Sequence, residues 1–185
     1  MPFGIEPARE IINRKDFGAL CNARELYEAA EIGTDRGGFA EQFLTQWRGH
    51  TLLCVDDYQP YHEMPFDRTP DMMQAVCRLA RFGERVRFLR APSLDAARFW
   101  KKRLDFVYID AAHDYRNVTA DIAAWWPRVW DGGILAGHDW HEEHPGVIQA
   151  VTEFAQREGL TVYVTSEGET LPSWYVCKPK PIEPE

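Results

Sequence analysis

No stretch of the chain approaches the roughly 18 uncharged apolar residues that a membrane-spanning helix needs, so no membrane partner is expected. Residues 1–20 lack the apolar core of a secretory signal, which points to a cytoplasmic setting. Cysteine is scarce. Cys21, Cys54, Cys77 and Cys177 form no CxxC pair and no repeated spacing, which speaks against a disulfide framework or a cysteine zinc centre. Cys54 and Cys77 fall in apolar patterns and read as buried small hydrophobes. Positive charge is in deficit: the formal net charge is −8, a field that repels a phosphate backbone and argues against nucleic acid as a partner. The local exception, Arg78, Arg81, Arg85, Arg87, Arg90 and then Lys101 to Arg103, reads as a solvated flank, with an anionic ligand as the alternative. There is no internal repeat.

What is present suits one domain. The 185 residues, 45% apolar and 27% charged, can bury a core without disulfide or metal staples. Short apolar runs alternate with longer amphipathic segments. Strands are expected at Tyr27–Gly33, Thr51–Asp56, Val86–Arg90, Leu104–Asp110, Gly133–His138, Thr161–Thr165 and Ser173–Cys177. Helices are expected at Gly37–Trp47, Pro70–Phe82, Leu94–Lys101, Tyr115–Trp126 and Pro145–Arg157, with a shorter one within Pro7–Ala23. The helices follow from period: Phe39, Phe43, Leu44 and Trp47 recur at steps of three and four, as do Val147, Ile148, Val151 and Phe154. The continuously apolar run Phe106–Ile109 suits a strand covered on both faces. The alternation predicts an α/β fold, doubly wound, with a mostly parallel seven-stranded sheet. The last two strands are joined by a polar link too short for a helix, so they should form a C-terminal antiparallel hairpin. Residues 1–24 read as an N-terminal helical extension, 25–178 as the domain, and 179–185 as a flexible tail.

Ligands of open parallel sheets sit at the carboxyl ends of the strands. The first expected strand ends in Glu31-Ile32-Gly33-Thr34-Asp35-Arg36-Gly37-Gly38, where glycine allows a tight turn. A dinucleotide fingerprint would have its middle glycine where Asp35 stands. Asp35 there disfavours a diphosphate and suits a cationic sulfonium or amine; a merely structural turn is the alternative. Asp56 ends the second strand, where a carboxylate can accept both ribose hydroxyls or simply cap a helix. Ser93 follows the third strand as a candidate helix cap. The fourth and fifth strands end in Asp110-Ala111-Ala112-His113 and Gly137-His138-Asp139. They bring two acid–histidine pairs to one sheet edge, a set that could hold a divalent ion or supply a general base. His141 and His144 extend the cluster, but their spacing is not that of a helical zinc motif, and they read as loop histidines. Trp125, Trp126 and Trp130 read as packing on the sheet.

In this order Glu31-x-Gly33-x-x-x-Gly37, Val55-Asp56, Ser93, Tyr108-Ile109-Asp110-x-x-His113 and Gly132-Gly133-Ile134-x-x-Gly137-His138-Asp139 resemble the class I S-adenosylmethionine-dependent methyltransferases. The nearer likeness is to the small bacterial branch related to macrolide-sugar O-methyltransferases, and the more distant one is to catechol O-methyltransferase. The stretch His144-Pro145-Gly146-Val147 with Ala150, Val151 and Phe154 resembles that bacterial branch too. The likeness runs from Glu28 to Cys177.

The resemblance implies S-adenosylmethionine as cofactor, bound by Glu31, Gly33, Gly37, Asp56, Ser93 and Asp110. It implies catalysis by His113 as general base together with Asp110. It also implies magnesium or another divalent cation at Asp110, His138 and Asp139, although a histidine in that set departs from the all-oxygen pattern. The partner implied is a small-molecule methyl acceptor, a sugar, polyketide or phenol, and a homo-oligomer stays open. The rival readings are a nicotinamide-dependent oxidoreductase, a metal-dependent hydrolase or hydroxylase using the histidines, and a non-catalytic protein on the same fold.

Overall fold

In the computed structural model, which describes residues 3–61, 65–166 and 171–181, eight strands make one sheet. They are β1 (Gly4–Pro7), β2 (Glu28–Ile32), β3 (Thr51–Asp56), β4 (Val86–Arg90), β5 (Leu104–Ile109), β6 (Val129–Gly137), β7 (Thr161–Val164) and β8 (Trp174–Cys177). The helices among the described residues are α1 (Phe17–Ala23), α2 (Gly38–Gln46), α3 (Thr69–Leu79), α4 (Ser93–Phe99), α5 (Tyr115–Trp125) and α6 (Pro145–Glu158). The strand order is β1-β7-β8-β6-β5-β2-β3-β4, and only β8 pairs antiparallel. The expected hairpin is therefore present, while the sheet has one strand more than the seven expected. That strand, β1, lies in the N-terminal stretch read as helical and pairs parallel with β7, Gly4 opposite Thr161. Residues 182–185 of the expected tail, and 167–170 of the link before β8, lie outside the described residues.

Two apolar layers sandwich the sheet. Phe39, Phe43, Leu44 and Trp47 of the α2 segment, with Phe17 and Leu79, cover one face; Ala96, Val118, Ile122, Trp125, Val151 and Phe154 of α4 to α6 cover the other. In β5 the side chains alternate between these layers, Phe106 and Tyr108 into one, Val107 and Ile109 into the other. This explains its unbroken apolar run. α6 starts on Pro145 and ends at Gly159 in the left-handed region (φ 66), the ordinary proline-in, glycine-out asymmetry.

Three local expectations fail for reasons of phase. α3 buries Asp71, Ala75 and Leu79, four residues apart, so Cys77 falls on the opposite face and is exposed, not buried. Trp125 is buried, but Trp130 is half exposed at the bulged start of β6. Ser93 is the first residue of α4, behind an N-cap at Pro92, and so is not the cap. Its hydroxyl turns to α5 instead, donating to Asp121 at 2.5 Å and accepting from Trp125 Nε1 at 3.0 Å. The basic run does flank the domain: Arg78 and Arg81 pair with Glu41, and Arg85 donates to the carbonyls of Leu44 and Trp47 at the end of α2.

Burial pushes the Asp121 carboxyl up to about 6, against the hydrogen bond from Ser93. A folded value above the unfolded one of about 3.9 means that the neutral acid favours folding. That contribution is complete below about pH 4 and is lost as pH rises through about 6. Wild-type stability should therefore fall by up to about 3 kcal/mol between pH 4 and pH 7 relative to Asp121→Asn. Urea unfolding of both proteins across that range checks this. A constant difference between them would assign the titration elsewhere.

Candidate active site

The chain winds from β2 to β3 and β4, then returns to the other side of β2 as β5, so the topological switch point lies at the carboxyl end of β2. The strand ends there are laced together: Gly33 N donates to Val55 O, Asp110 N to Ile32 O, and His138 N to Ile109 O. All the residues singled out from the sequence, apart from Ser93 on its own turn, project from this edge or from the turns leaving it.

The turn after β2 is dictated by crowding. Gly33 has φ +93, and a Cβ there would stand 2.0 Å from the carbonyl oxygen of Asp110. No other residue fits between the ends of β2 and β5. Asp56 ties this turn to β3, its carboxylate accepting from Asp35 N at 2.9 Å and Tyr58 N at 2.8 Å. Each oxygen keeps a second lone pair for a further donor. The expectation for Asp35 needs correction: its carboxylate is already answered by Arg68, a 5% exposed residue that also pairs with Asp71. Glu31 is buried, with Oε2 lacking a hydrogen-bond partner among the described residues. Burial and the nearby Asp110 charge push its carboxyl well up.

Asp139 is the hub of the other half. It is 4% exposed and held at φ 60 in the turn after β6. His113 Nε2 lies 2.8 Å from its Oδ2, and His138 Nδ1 lies 2.8 Å from its Oδ1. Burial alone would raise this carboxyl; hydrogen bonds from the two imidazoles and their charge hold it well below the usual carboxylate range. Asp110 stands 3.8 Å from His138 and 3.7 Å from Arg14 of the N-terminal segment. Burial raises its carboxyl, opposed by His138 and reinforced by the charge of Asp139. α5 is capped by Asp114, whose side chain accepts from Asn117 N, so His113 has no capping duty.

The structure thus brings Asp110, His113, His138 and Asp139 together, with the Gly33–Gly37 turn, Glu31 and Asp56 on the neighbouring strand ends. Three participants escape the sequence reading. Arg14 comes from the segment between β1 and α1, far from Asp110 in sequence. Arg68 carries no pattern that marks it as buried. His144 lies 3.9 Å from Asp139 and 4.6 Å, ring to ring, from His113, where the sequence suggested a loop histidine facing solvent. Its one available signal was Pro145, which fixes the start of α6 beside it. A larger hollow of about 750 Å³ near Trp47 and Arg85 opens at the opposite end of the strands, and its lining has no acid, histidine or cysteine.

A family model described as a methyltransferase domain matches residues 30–140. No curated protein sequence matches the chain. Among solved structures the chain is similar to a protein from Corynebacterium glutamicum, 19% identical, with a TM-score of 0.70, covering 97% of this chain and 86% of that one. It is also similar to cofactor-bound Rv0187 from MTB, 19% identical, with a TM-score of 0.69, covering 95% and 85%. A third likeness is to the O-methyltransferase TomG from Streptomyces achromogenes, solved in complex with SAM and involved in tomaymycin synthesis, 15% identical, with a TM-score of 0.63, covering 89% and 79%. At these identities the structural likeness is one of fold. No helix among the described residues is long and apolar enough to cross a membrane.

Proposed function

Since the chain belongs to the methyltransferase-domain family and takes S-adenosylmethionine as methyl donor, we propose that it methylates a hydroxyl oxygen of a small-molecule acceptor, a sugar, polyketide or phenol. The observation that carries this reading is the His113–Asp139 pair at 2.8 Å on the strand-end edge. A buried carboxylate accepting from Nε2–H fixes the imidazole tautomer and leaves the basic lone pair on Nδ1. That is the arrangement a general base needs in order to take a hydroxyl proton. The cofactor, when bound, supplies an electrophilic methyl on a sulfonium.

The buried, unpartnered Oε2 of Glu31 tests the fit. An acceptor in that state suits a ligand that brings a donor or positive charge, as the ammonium and sulfonium of the cofactor do. Glu31, with the turn from Gly33 to Gly37, holds the methionine part; Asp56 accepts the ribose hydroxyls; the backbone at Ser93 borders the adenine, its hydroxyl being committed to Asp121. Asp110 borders both cofactor and acceptor. For a divalent cation the donors of Asp110, His138 and Asp139 lie within 4.8 Å of one another, close enough for one ion to reach all three. Magnesium or a similar ion held there would lower the acceptor hydroxyl's pKa. His113 then positions the acceptor oxygen and receives its proton, while Asp139 stabilises the resulting imidazolium.

Binding of S-adenosylhomocysteine tests the cofactor half of the reading. At ~100 times its dissociation constant it should add about 2.7 kcal/mol of stability, seen as a raised melting temperature. Asp56→Ala should remove most of that gain. A melting curve unmoved by millimolar ligand would empty the proposed cleft.

A further inference from the structure

Asp139 also belongs to a second constellation. The donor atoms of His113, Asp139 and His144 lie within 4.8 Å of one another, with His113 Nε2 2.8 Å and His144 Nε2 3.9 Å from the two carboxylate oxygens. Ligand atoms on neighbouring vertices of a tetrahedral zinc ion stand roughly 3.3–3.6 Å apart, given bonds of about 2.0–2.2 Å. One observed spacing is shorter than that range and the other longer, and they run to different oxygens of Asp139, so closing the site on one ion takes a rotation of the side chains.

The framework around the three residues is stiff. Asp139 is fixed by burial and by its left-handed turn. His144 is fixed by the seating of α6: a Cβ on Gly146 would stand 2.5 Å from Tyr115 N and 2.8 Å from the carbonyl oxygen of His113. The first turn of α6 therefore rests directly on the backbone that carries His113. Two imidazoles and one carboxylate with a fourth vertex left for water are the donors of an open zinc site and a poor set for magnesium.

We propose that His113, Asp139 and His144 bind Zn²⁺, and that this ion switches the enzyme off by capturing its base. The switch rests on the reading of His113 given above; the binding does not. With zinc on Nε2, the proton that Nε2 had shared with Asp139 passes to Nδ1, through solvent exchange. A zinc-bound neutral imidazole carries its remaining proton on Nδ1, so the lone pair that would accept the hydroxyl proton is lost.

The test is calorimetric titration of Zn²⁺ into the chelator-treated full chain, as wild type, His144→Ala and His141→Ala, with methyl transfer measured on the same samples. One ion should bind per chain, more tightly than Mg²⁺. The affinity should fall by at least about tenfold in His144→Ala and stay unchanged in His141→Ala. Co²⁺ should give visible absorption in wild type that His144→Ala loses. Turnover of each protein is referred to its own zinc-free value, and the inhibition constant for zinc should track its dissociation constant. Zinc binding that is absent, or that is indifferent to His144→Ala, overturns the site. Undiminished turnover with the site filled overturns the switch. A zinc-free wild type that binds S-adenosylhomocysteine but transfers no methyl to any hydroxyl acceptor undoes the reading of His113 as base, and with it the switch, while the zinc isotherm still decides the site.

Discussion

His113→Ala should slow methyl transfer about 10²–10⁴-fold, the usual cost of losing a general base, with the affinity for S-adenosylhomocysteine nearly unchanged. The separation follows from position. The His113 side chain is 38% exposed and pairs with Asp139, whereas most of the proposed cofactor contacts, Glu31, the Gly33–Gly37 turn, Asp56 and the Ser93 backbone, lie on β2 and β3 or follow β2 and β4. Folding should survive, because Asp114 and not His113 caps α5. Turnover, inhibitor affinity and melting temperature must therefore be measured on one preparation. A folded mutant with wild-type turnover on its true acceptor would move the base elsewhere, to His138 or His141 first.

Asp139→Asn should be comparably severe, although it changes one atom. The carboxylate faces a ring nitrogen at 2.8 Å on each oxygen, and both can donate to it. An asparagine offers one acceptor and one donor, so one of the two imidazoles must take the other tautomer or turn away. If His113 is the one that switches, its proton sits on Nδ1 and the base is lost. Wrong-tautomer losses of this kind reach about 10⁴-fold in kcat. The loss should fall mainly on kcat, with KM for the cofactor little affected. Nitrogen NMR of the histidine rings gives an independent reading. Unchanged tautomers with unchanged kcat would leave Asp139 without an orienting role.

Sequence pattern made the central sheet legible because its signals are local. The run Phe106–Ile109 and the period of α2 and α6 each record burial on their own segment. β1 left no such trace: Gly-Ile-Glu-Pro is short, ends in proline, and is partly or fully exposed along its length at the sheet edge, so no alternation marks it. The candidate site was legible as a set of strand ends, since β5 and β6 are neighbours and both stop on an acid and a histidine. What could not be read was who touches whom. Asp139 could be a ligand or an orienting group on spacing alone. Its geometry depends on a left-handed turn and on the approach of two helices, which no window of sequence contains. Likewise Asp35 suits a cation on chemistry, but Arg68, brought in by the loop after β3, answers it first.

The pairing of β1 with β7 sets an order of assembly. Gly4 and Thr161 come from opposite ends of the chain, so this contact closes one of the longest loops in the fold and is among the last for which folding can gain energy. During synthesis β1 has no edge of this sheet to join until β7 has emerged. Arg14, in the segment that follows β1, stands 3.7 Å from Asp110. One charge beside the strand-end acids thus comes from the segment just after β1, and not from the strands that carry those acids.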